Sequence, residues 1–350
     1  MITGMDRCIA AVNGEECDRI PVFCNMFDQG AQELGLSVKE YYSNGEYVAE
    51  AQLKMREKYG YDNLWNLFYV GKDAELLGCD KVLFPENGSP NIADFIIKTY
   101  DDIEKLQIPN DIATHPGFEQ ELKCLRILQS EAGGKYPICA YVTASMTLPA
   151  ILMGMDKWME LLLMGPEEVR DQLLEKCSDF FQKRITAYRE NGADFLVYSN
   201  PFGSTDTLPM RLIQSLSLPW MERDLKPVGT EGVVYYCGSS RFNNVIDQVI
   251  ERLGIASFYL SPLDDVAEGK KIVAGRGLTT GVINDIPLID WSVEEIRHEV
   301  KRIIDAGMPG SRFAFGTIGM PCDIIEEKIR ALLEAVYEYG SWEKRGNPDG

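Results

Sequence analysis

Two histidines are all that the 350-residue sequence contains, and none of its nine cysteines is part of a Cys-x-x-Cys pair. Cysteines without paired spacing argue against a disulfide framework and predict free thiols. No apolar run approaches the roughly 18 to 20 residues that a membrane helix needs. The N-terminus also lacks the basic start and apolar block of a signal peptide. We therefore expect a cytoplasmic protein without a membrane partner.

Basic residues are also scarce. Lys and Arg number 35 against 54 Asp and Glu, and the formal net charge is −19. A surface with this charge repels nucleic acid and anionic membranes, so we expect neither as a partner. Hydrophobic residues make up 45% of the chain and charged residues 25%, which is typical of globular proteins. No repeat or low-complexity stretch divides the sequence, and we expect residues 1–350 to form a single domain.

Short apolar runs alternate with helical patterns along the chain. Eight strands are predicted, at 20–25, 62–68, 137–142, 194–199, 232–237, 256–260, 278–283 and 311–316. Helices are predicted at 45–59, 116–133, 166–190, 208–227, 241–252, 292–306 and 323–339. This alternation predicts the α/β class and a (β/α)8 TIM barrel. A doubly wound open sheet is the alternative, but no Gly-rich phosphate loop opens any βα unit.

Two segments fall outside the alternation. Residues from about 80 to 135 are too many for one connection, and we expect an insertion at the barrel mouth. The polar residues 340–350 are predicted to form a flexible tail.

The ends of the predicted strands indicate where function lies, because TIM-barrel active sites occupy the carboxyl-terminal face. The side chains there are mostly aromatic rings, amides and thiols, with little Lys or Arg, which suits a small and largely apolar substrate. The residues singled out at these ends are Asn25, Phe27, Asp28, Trp65, Tyr141, Tyr198, Asn200, Tyr235, Cys237 and Cys322.

Several segments together resemble one enzyme superfamily. They read DRIPVFCNMFDQG, ELLGCDKVLFPENGSP, IIKTYDDIEKLQIP, YSNPFGSTDTLPMRLIQSLSLPWMERDLKPV, GVVYYCG and GTIGMPCDI. Between about residues 5 and 338 the sequence resembles the uroporphyrinogen decarboxylase superfamily, which implies a (β/α)8 barrel. The decarboxylases of this superfamily carry arginines in the first loop, in a pattern like RQAGR. Here the loop at 25–30 reads NMFDQG and has no basic residue, which disfavours a substrate with four carboxylates.

The other branch of the superfamily comprises corrinoid-dependent methyltransferases. Its thiol-activating members hold zinc with a His-x-Cys-Gly motif and a Cys after the last strand. The matching positions here are Tyr235, in place of the histidine, with Cys237 and Cys322. Zinc sites need three protein ligands, so a carboxylate such as Asp28, Glu75 or Asp264 would have to complete this one. Two readings stay open: a zinc site at Cys237 and Cys322, or two buried free cysteines.

The resemblance implies a methyltransferase that works with cobalamin carried by a partner corrinoid protein. The missing histidine favours a demethylase component acting on a methyl ether, amine or similar donor. Tyr235, Asp28 or Glu75 would protonate the leaving group. The remaining candidates would bind the substrate, the aromatic ones as a cage: Asn25, Asn200, Phe27, Trp65, Tyr141 and Tyr198.

Three other functions remain as alternatives. The first is a zinc-dependent methylcobamide:thiol methyltransferase. The second is a uroporphyrinogen-type decarboxylase, and the third is a non-catalytic binding barrel.

Overall fold

Eight parallel strands build the sheet that positions the rest of the chain. The computed structural model describes residues 2–345, with side chains through residue 343. The strands are β1 (Val22–Phe23), β2 (Leu64–Trp65), β3 (Val82–Leu83), β4 (Asn91–Ile92), β5 (Ile138–Thr143), β6 (Phe195–Ser199), β7 (Val233–Tyr236), β8 (Ser257–Tyr259), β9 (Leu278–Ile283) and β10 (Phe313–Thr317). The sheet order is β1-β10-β9-β8-β7-β6-β5-β2, and β3 pairs with β4 in a separate antiparallel hairpin. Each predicted barrel strand is confirmed, and so is the TIM-barrel fold.

Side chains complete the barrel between β1 and β2. The Asp62 backbone N–H donates to the Val22 carbonyl, and the Asp62 carboxylate accepts from the Val22 N–H at 2.9 Å. The Asn63 side chain accepts from the Cys24 N–H at 3.0 Å. Because side chains replace part of the backbone ladder, β1 is shorter than the predicted 20–25. Arg7 and Arg19 pair with the fully buried Asp62 carboxylate and balance its charge.

Helices surround the sheet. They are α1 (Gly4–Asn13), α2 (Gln29–Leu34), α3 (Val38–Tyr41), α4 (Gly45–Tyr59), α5 (Lys72–Leu76), α6 (Tyr100–Lys105), α7 (Pro116–Ala132), α8 (Leu148–Met153), α9 (Met155–Met164), α10 (Glu167–Glu190), α11 (Met210–Leu212), α12 (Leu218–Leu225), α13 (Ile246–Leu253), α14 (Val266–Val273), α15 (Val293–Gly307), α16 (Glu326–Tyr339) and α17 (Trp342–Arg345). The predicted helix 208–227 is divided by a π-turn over 213–217, just before Pro219, which has no N–H for the helical ladder. Helices α1 and α14 are among those that the predicted helices do not include.

Alternation along the strands separates the barrel interior from the layer under the helices. Trp65, Tyr141, Val197, Tyr236 and Tyr259 belong to the interior cluster. Their strand neighbours, such as Tyr198 and Tyr235, belong to the larger cluster formed with the helices. This period of two decides which of the candidate residues can reach a ligand.

The segment predicted as an insertion contains the β3–β4 hairpin, α6 and α7. In the segment predicted as a tail, Trp342 donates its backbone N–H to the Asp18 carbonyl and begins α17. The rest of that tail, 346–350, lies outside the described residues. Within the described part of the chain, no helix has the length and apolar character needed to cross a membrane.

Candidate active site at the mouth of the barrel

A cavity of about 610 Å³ opens at the carboxyl ends of the strands. Among the described residues that line it, none is Asp, Glu, Lys, Arg or His. The hairpin contributes Ser89, Pro90, Asn91 and Ile92 to its wall. Aromatic rings supply much of the remaining surface: Phe27, Trp65, Phe68, Tyr69, Phe95, Tyr141, Tyr236 and Tyr259. The sequence prediction of an aromatic mouth includes three of these rings, Phe27, Trp65 and Tyr141.

Asn25 connects two sides of this cavity. Its Oδ1 accepts from the Trp65 indole N–H at 2.8 Å and from the Asn63 amide at 3.2 Å. Its Nδ2 donates to the Tyr259 hydroxyl at 2.9 Å and to the Thr317 carbonyl at 2.6 Å. Both donor positions and both acceptor positions of the amide are therefore occupied. Asn25 lines the cavity, and these contacts fix the positions of the Trp65 and Tyr259 rings.

Three candidates from the sequence lie behind the cavity wall. Tyr198 donates to the Asp224 carboxylate at 2.8 Å, on the helix side of β6. Tyr235 is fully buried and donates to the Gly203 carbonyl at 3.2 Å. Asn200 is also fully buried and accepts from the Thr147 hydroxyl at 3.3 Å. On β7 the ring that reaches the cavity is Tyr236, not Tyr235, because successive side chains point to opposite faces.

The two carboxylates singled out from the sequence each bind a residue of the wall. Asp28 accepts from the Ser89 hydroxyl and from the Tyr42 hydroxyl, both at 2.6 Å, and so attaches the β3–β4 hairpin to the loop after β1. Glu75 accepts from the Tyr69 hydroxyl and, at 2.6 Å, from Lys72 Nζ. Neither carboxylate lines the cavity itself. Their contacts position Ser89 and Tyr69, which do.

Asp285 is a carboxylate beside the cavity that the sequence prediction missed. It follows β9, is 2% exposed, and its Oδ2 has no hydrogen-bond partner among the described residues. Burial raises its pKa to about 7, although the backbone N–H groups of Asp285 and Ile318 favour the charged form. Ile318 lines the cavity, and the Asp285 charge acts on the wall residues Tyr236 and Tyr259.

A buried ion-pair network lies under another part of the wall. Arg184 pairs with Asp73 and Glu121, and Tyr188 also donates to Glu121. Burial raises the pKa of Glu121 to about 7. A small space lined by these charged side chains shares Tyr69 and Tyr141 with the cavity wall. The sequence prediction missed this network because Arg184 occupies a helix, α10, whose other buried positions are mostly apolar.

The two cysteines of the proposed zinc site contact different groups. The Cys237 thiol is fully buried and donates to the Asn200 carbonyl at 3.2 Å. Cys322 is partly buried, and its neighbours are Asp28 and the Gly88 backbone. Burial raises the pKa of both thiols, that of Cys322 to about 11. In the described part of the chain no group of three or more His, Cys, Asp and Glu side chains could hold a metal ion, so this donor set does not fit zinc.

The relationship to known proteins agrees with this architecture. The family model described as uroporphyrinogen decarboxylase (URO-D) matches residues 3–339. The chain belongs to the uroporphyrinogen decarboxylase family. A solved structure described as a methyltransferase from Methanosarcina mazei matches the fold with a TM-score of 0.83 at 19% identity, over 97% of this chain and 99% of that one.

Sequence relatives within the family include two kinds of enzyme. The methylcobamide:CoM methyltransferase MtaA of Methanosarcina barkeri is 22% identical over 348 residues, which cover 95% of this chain and 97% of that protein. A uroporphyrinogen decarboxylase of Geotalea uraniireducens (strain Rf4) is 23% identical over 287 residues, which cover 77% of this chain and 80% of that protein. The side chains that line the cavity must therefore discriminate between methyl transfer and decarboxylation.

Proposed function

We propose that this protein transfers a methyl group from a small methylated compound to the cobalt of a corrinoid carried by a partner protein. The observation that carries this proposal is the aromatic cavity without charged lining, in a chain similar along its length to methylcobamide:CoM methyltransferases. Methyl transfer to cobalt is a displacement at carbon, so the barrel has to hold the donor in line with the metal and accommodate its leaving group. A cavity walled by aromatic rings serves the first purpose.

The rim of the cavity supports a partner that approaches from the mouth. Exposed apolar side chains follow the carboxyl ends of several barrel strands, Val70, Leu263, Ile286 and Ile325, and Phe95 follows the hairpin strand β4. Val70 and Phe95 also line the cavity. Exposed apolar residues grouped around an opening are typical of interaction sites. A corrinoid protein docked on this rim would bring its cobalt to the cavity.

The cavity disfavours decarboxylation of a tetrapyrrole acid. Several carboxylates would need arginine or lysine partners, and the described lining offers none. Thiol methylation in the manner of zinc enzymes is disfavoured too, because the cysteines do not form a three-ligand site.

Methylation of reduced cobalamin tests the proposal. Purified protein is mixed anaerobically with cob(I)alamin and, in separate reactions, tetramethylammonium, choline, a methoxybenzene or a methylated thiol. We expect the cob(I)alamin absorption to disappear and that of methylcob(III)alamin to appear with one donor class. Trp65→Ala, which removes part of the cavity wall, should slow that reaction at least tenfold. Methylcobalamin demethylation by coenzyme M, with none of the donors reacting, would instead identify a thiol methyltransferase.

A further inference from the structure

We propose that the cavity selects a methylated ammonium cation, and that Asp285 is the carboxylate that balances its charge. This inference rests on the proposed function, because the cation is a substrate only if the protein transfers methyl groups. The binding of the cation can be measured without that reaction. The alternative donor class is a neutral methyl ether.

The aromatic rings of the cavity wall favour a cationic ligand. Phe27 and Trp65 pack edge to face, with centroids 5.4 Å apart, and Tyr236 and Tyr259 do so at 5.9 Å. Both pairs belong to the cavity wall. A cage of such rings attracts an ammonium ion through the negative faces of the π systems, an interaction that strengthens when water is excluded.

The charges behind the cavity wall also favour a cationic ligand. Asp28 and Asp285 are both buried, and none of the salt bridges between described residues includes either of them. Other carboxylates near the cavity have cations: Glu75 pairs with Lys72, and Asp73 and Glu121 pair with Arg184. The excess charge beside the cavity is therefore negative. Asp285 in particular has a buried carboxylate oxygen without a partner, a cost that a cation in the cavity would offset.

Most hydrogen-bond donors of the cavity wall are already engaged, which favours a methyl donor whose leaving group needs no proton. Trp65 donates to Asn25, Tyr141 to Ser199 and Ser89 to Asp28. The Tyr69 and Tyr259 hydroxyls are likewise engaged, with Glu75 and the Thr317 carbonyl. Among the wall tyrosines described, only Tyr236 has a hydroxyl with no protein partner. The leaving group of a methyl ether is an alkoxide or a phenoxide, which needs a proton. The leaving group of a quaternary ammonium is a neutral amine, which needs none.

The transfer from an ammonium donor is balanced without a proton. A methyl carbon–nitrogen bond breaks, and its electron pair remains on nitrogen as a neutral tertiary amine. The partner's cobalt(I) supplies both electrons of the new cobalt–carbon bond and becomes methylcobalt(III). The wall therefore has to bind the cation and orient one methyl group, which an aromatic cage can do.

Binding of a cation and its neutral isostere tests the inference. Choline and 3,3-dimethylbutan-1-ol have nearly the same shape, and only choline carries a charge. Titration calorimetry on the wild-type protein should give a dissociation constant for choline at least about tenfold lower than that for the alcohol. In Asp285→Asn, which keeps the side-chain shape, the ratio should fall severalfold, to the selectivity that the aromatic rings alone provide. Asp224→Asn is the matched control, because it neutralises another fully buried carboxylate that lies behind Tyr198, away from the cavity.

The outcomes separate this inference from the proposed function. Equal affinities for choline and the alcohol in the wild-type protein would overturn the inference, even if Asp285→Asn failed to fold. Tight binding and demethylation of a methoxybenzene, abolished in Tyr236→Phe, would overturn it while the proposed methyl transfer stood. Selective choline binding without cob(I)alamin methylation would support the inference and refute the proposed function.

Discussion

The pH dependence of ammonium binding tests the role of Asp285 most stringently. Burial raises the pKa of this carboxyl to about 7, because desolvation opposes the charged form. A cation in the cavity favours the charged form and therefore lowers the pKa. Affinity must then increase with pH across the interval between the two pKa values, and binding must release protons within it.

The size of the effect follows from Coulomb's law. One layer of side chains between the carboxylate and the ligand corresponds to about 8 Å, and at an effective dielectric constant of about 20 two unit charges at that distance attract by about 2 kcal/mol. This energy equals a factor of about 30 in affinity and lowers the carboxyl pKa from about 7 to about 5.5. We expect the dissociation constant of tetramethylammonium to be nearly flat above about pH 8 and to rise about twentyfold between pH 8 and pH 5.

Other ionisable groups have to be separated from Asp285. The residues that share its electrostatic environment are Tyr236, Tyr259 and Cys24, and burial raises the pKa of each above its ordinary value. They stay neutral between pH 5 and pH 8. Glu121 is the competing group, since its pKa is also raised to about 7. It pairs with Arg184 under a different part of the wall.

Calorimetric titrations from pH 5 to pH 8.5, in pairs of buffers with different ionisation enthalpies, give both affinity and proton release. The wild-type protein and Glu121→Gln should show the pH dependence, and Asp285→Asn should not. A flat profile in the wild type, or a profile that persists in Asp285→Asn, would refute the reasoning.

Two further predictions concern stability and metal binding. The native pKa of Asp285 lies above that of an unfolded carboxyl, so its charged form costs stability above about pH 7, and the cost disappears toward pH 4. Asp285→Asn should therefore raise the free energy of urea unfolding by on the order of 2 to 4 kcal/mol at pH 8 and by much less at pH 4.5. An equal gain at both pH values would contradict the assignment of this pKa to Asp285. Elemental analysis of anaerobically purified protein should find no stoichiometric zinc that depends on Cys237 and Cys322; about one zinc per chain, lost in Cys237→Ala and in Cys322→Ala, would restore the thiol-activating alternative.

The fold could be predicted because eight strand patterns alternate with seven helix patterns along the sequence. The helix at 45–59 matches α4, and the predicted strand 278–283 matches β9. The position of the mouth followed from the rule that TIM-barrel sites lie at the carboxyl ends of strands. Asn25, Phe27, Trp65 and Tyr141, which that rule singled out, line the cavity, and their contact with a substrate stays a prediction.

Which face of a strand a residue occupies could not be read in the same way. The segment VVYYCG is apolar or aromatic at each position before its glycine, so its pattern does not show whether Tyr235 or Tyr236 faces the interior. Strands buried on both faces carry no polar alternation to mark them. Asp285 was missed for a related reason: its carboxylate accepts from the backbone N–H of Ile318, which follows β10, and no local sequence pattern encodes this tertiary contact.

Transfer of a labelled methyl group tests the central claim most directly. The protein is incubated anaerobically with cob(I)alamin and choline carrying ¹³C in its N-methyl groups, and both products are measured by mass spectrometry. The proposal predicts ¹³C-methylcobalamin and dimethylaminoethanol in equal amounts, formed at a rate that Trp65→Ala lowers at least tenfold. If the protein binds choline selectively but the cobalamin stays unlabelled and the choline stays intact, methyl transfer from an ammonium donor is contradicted.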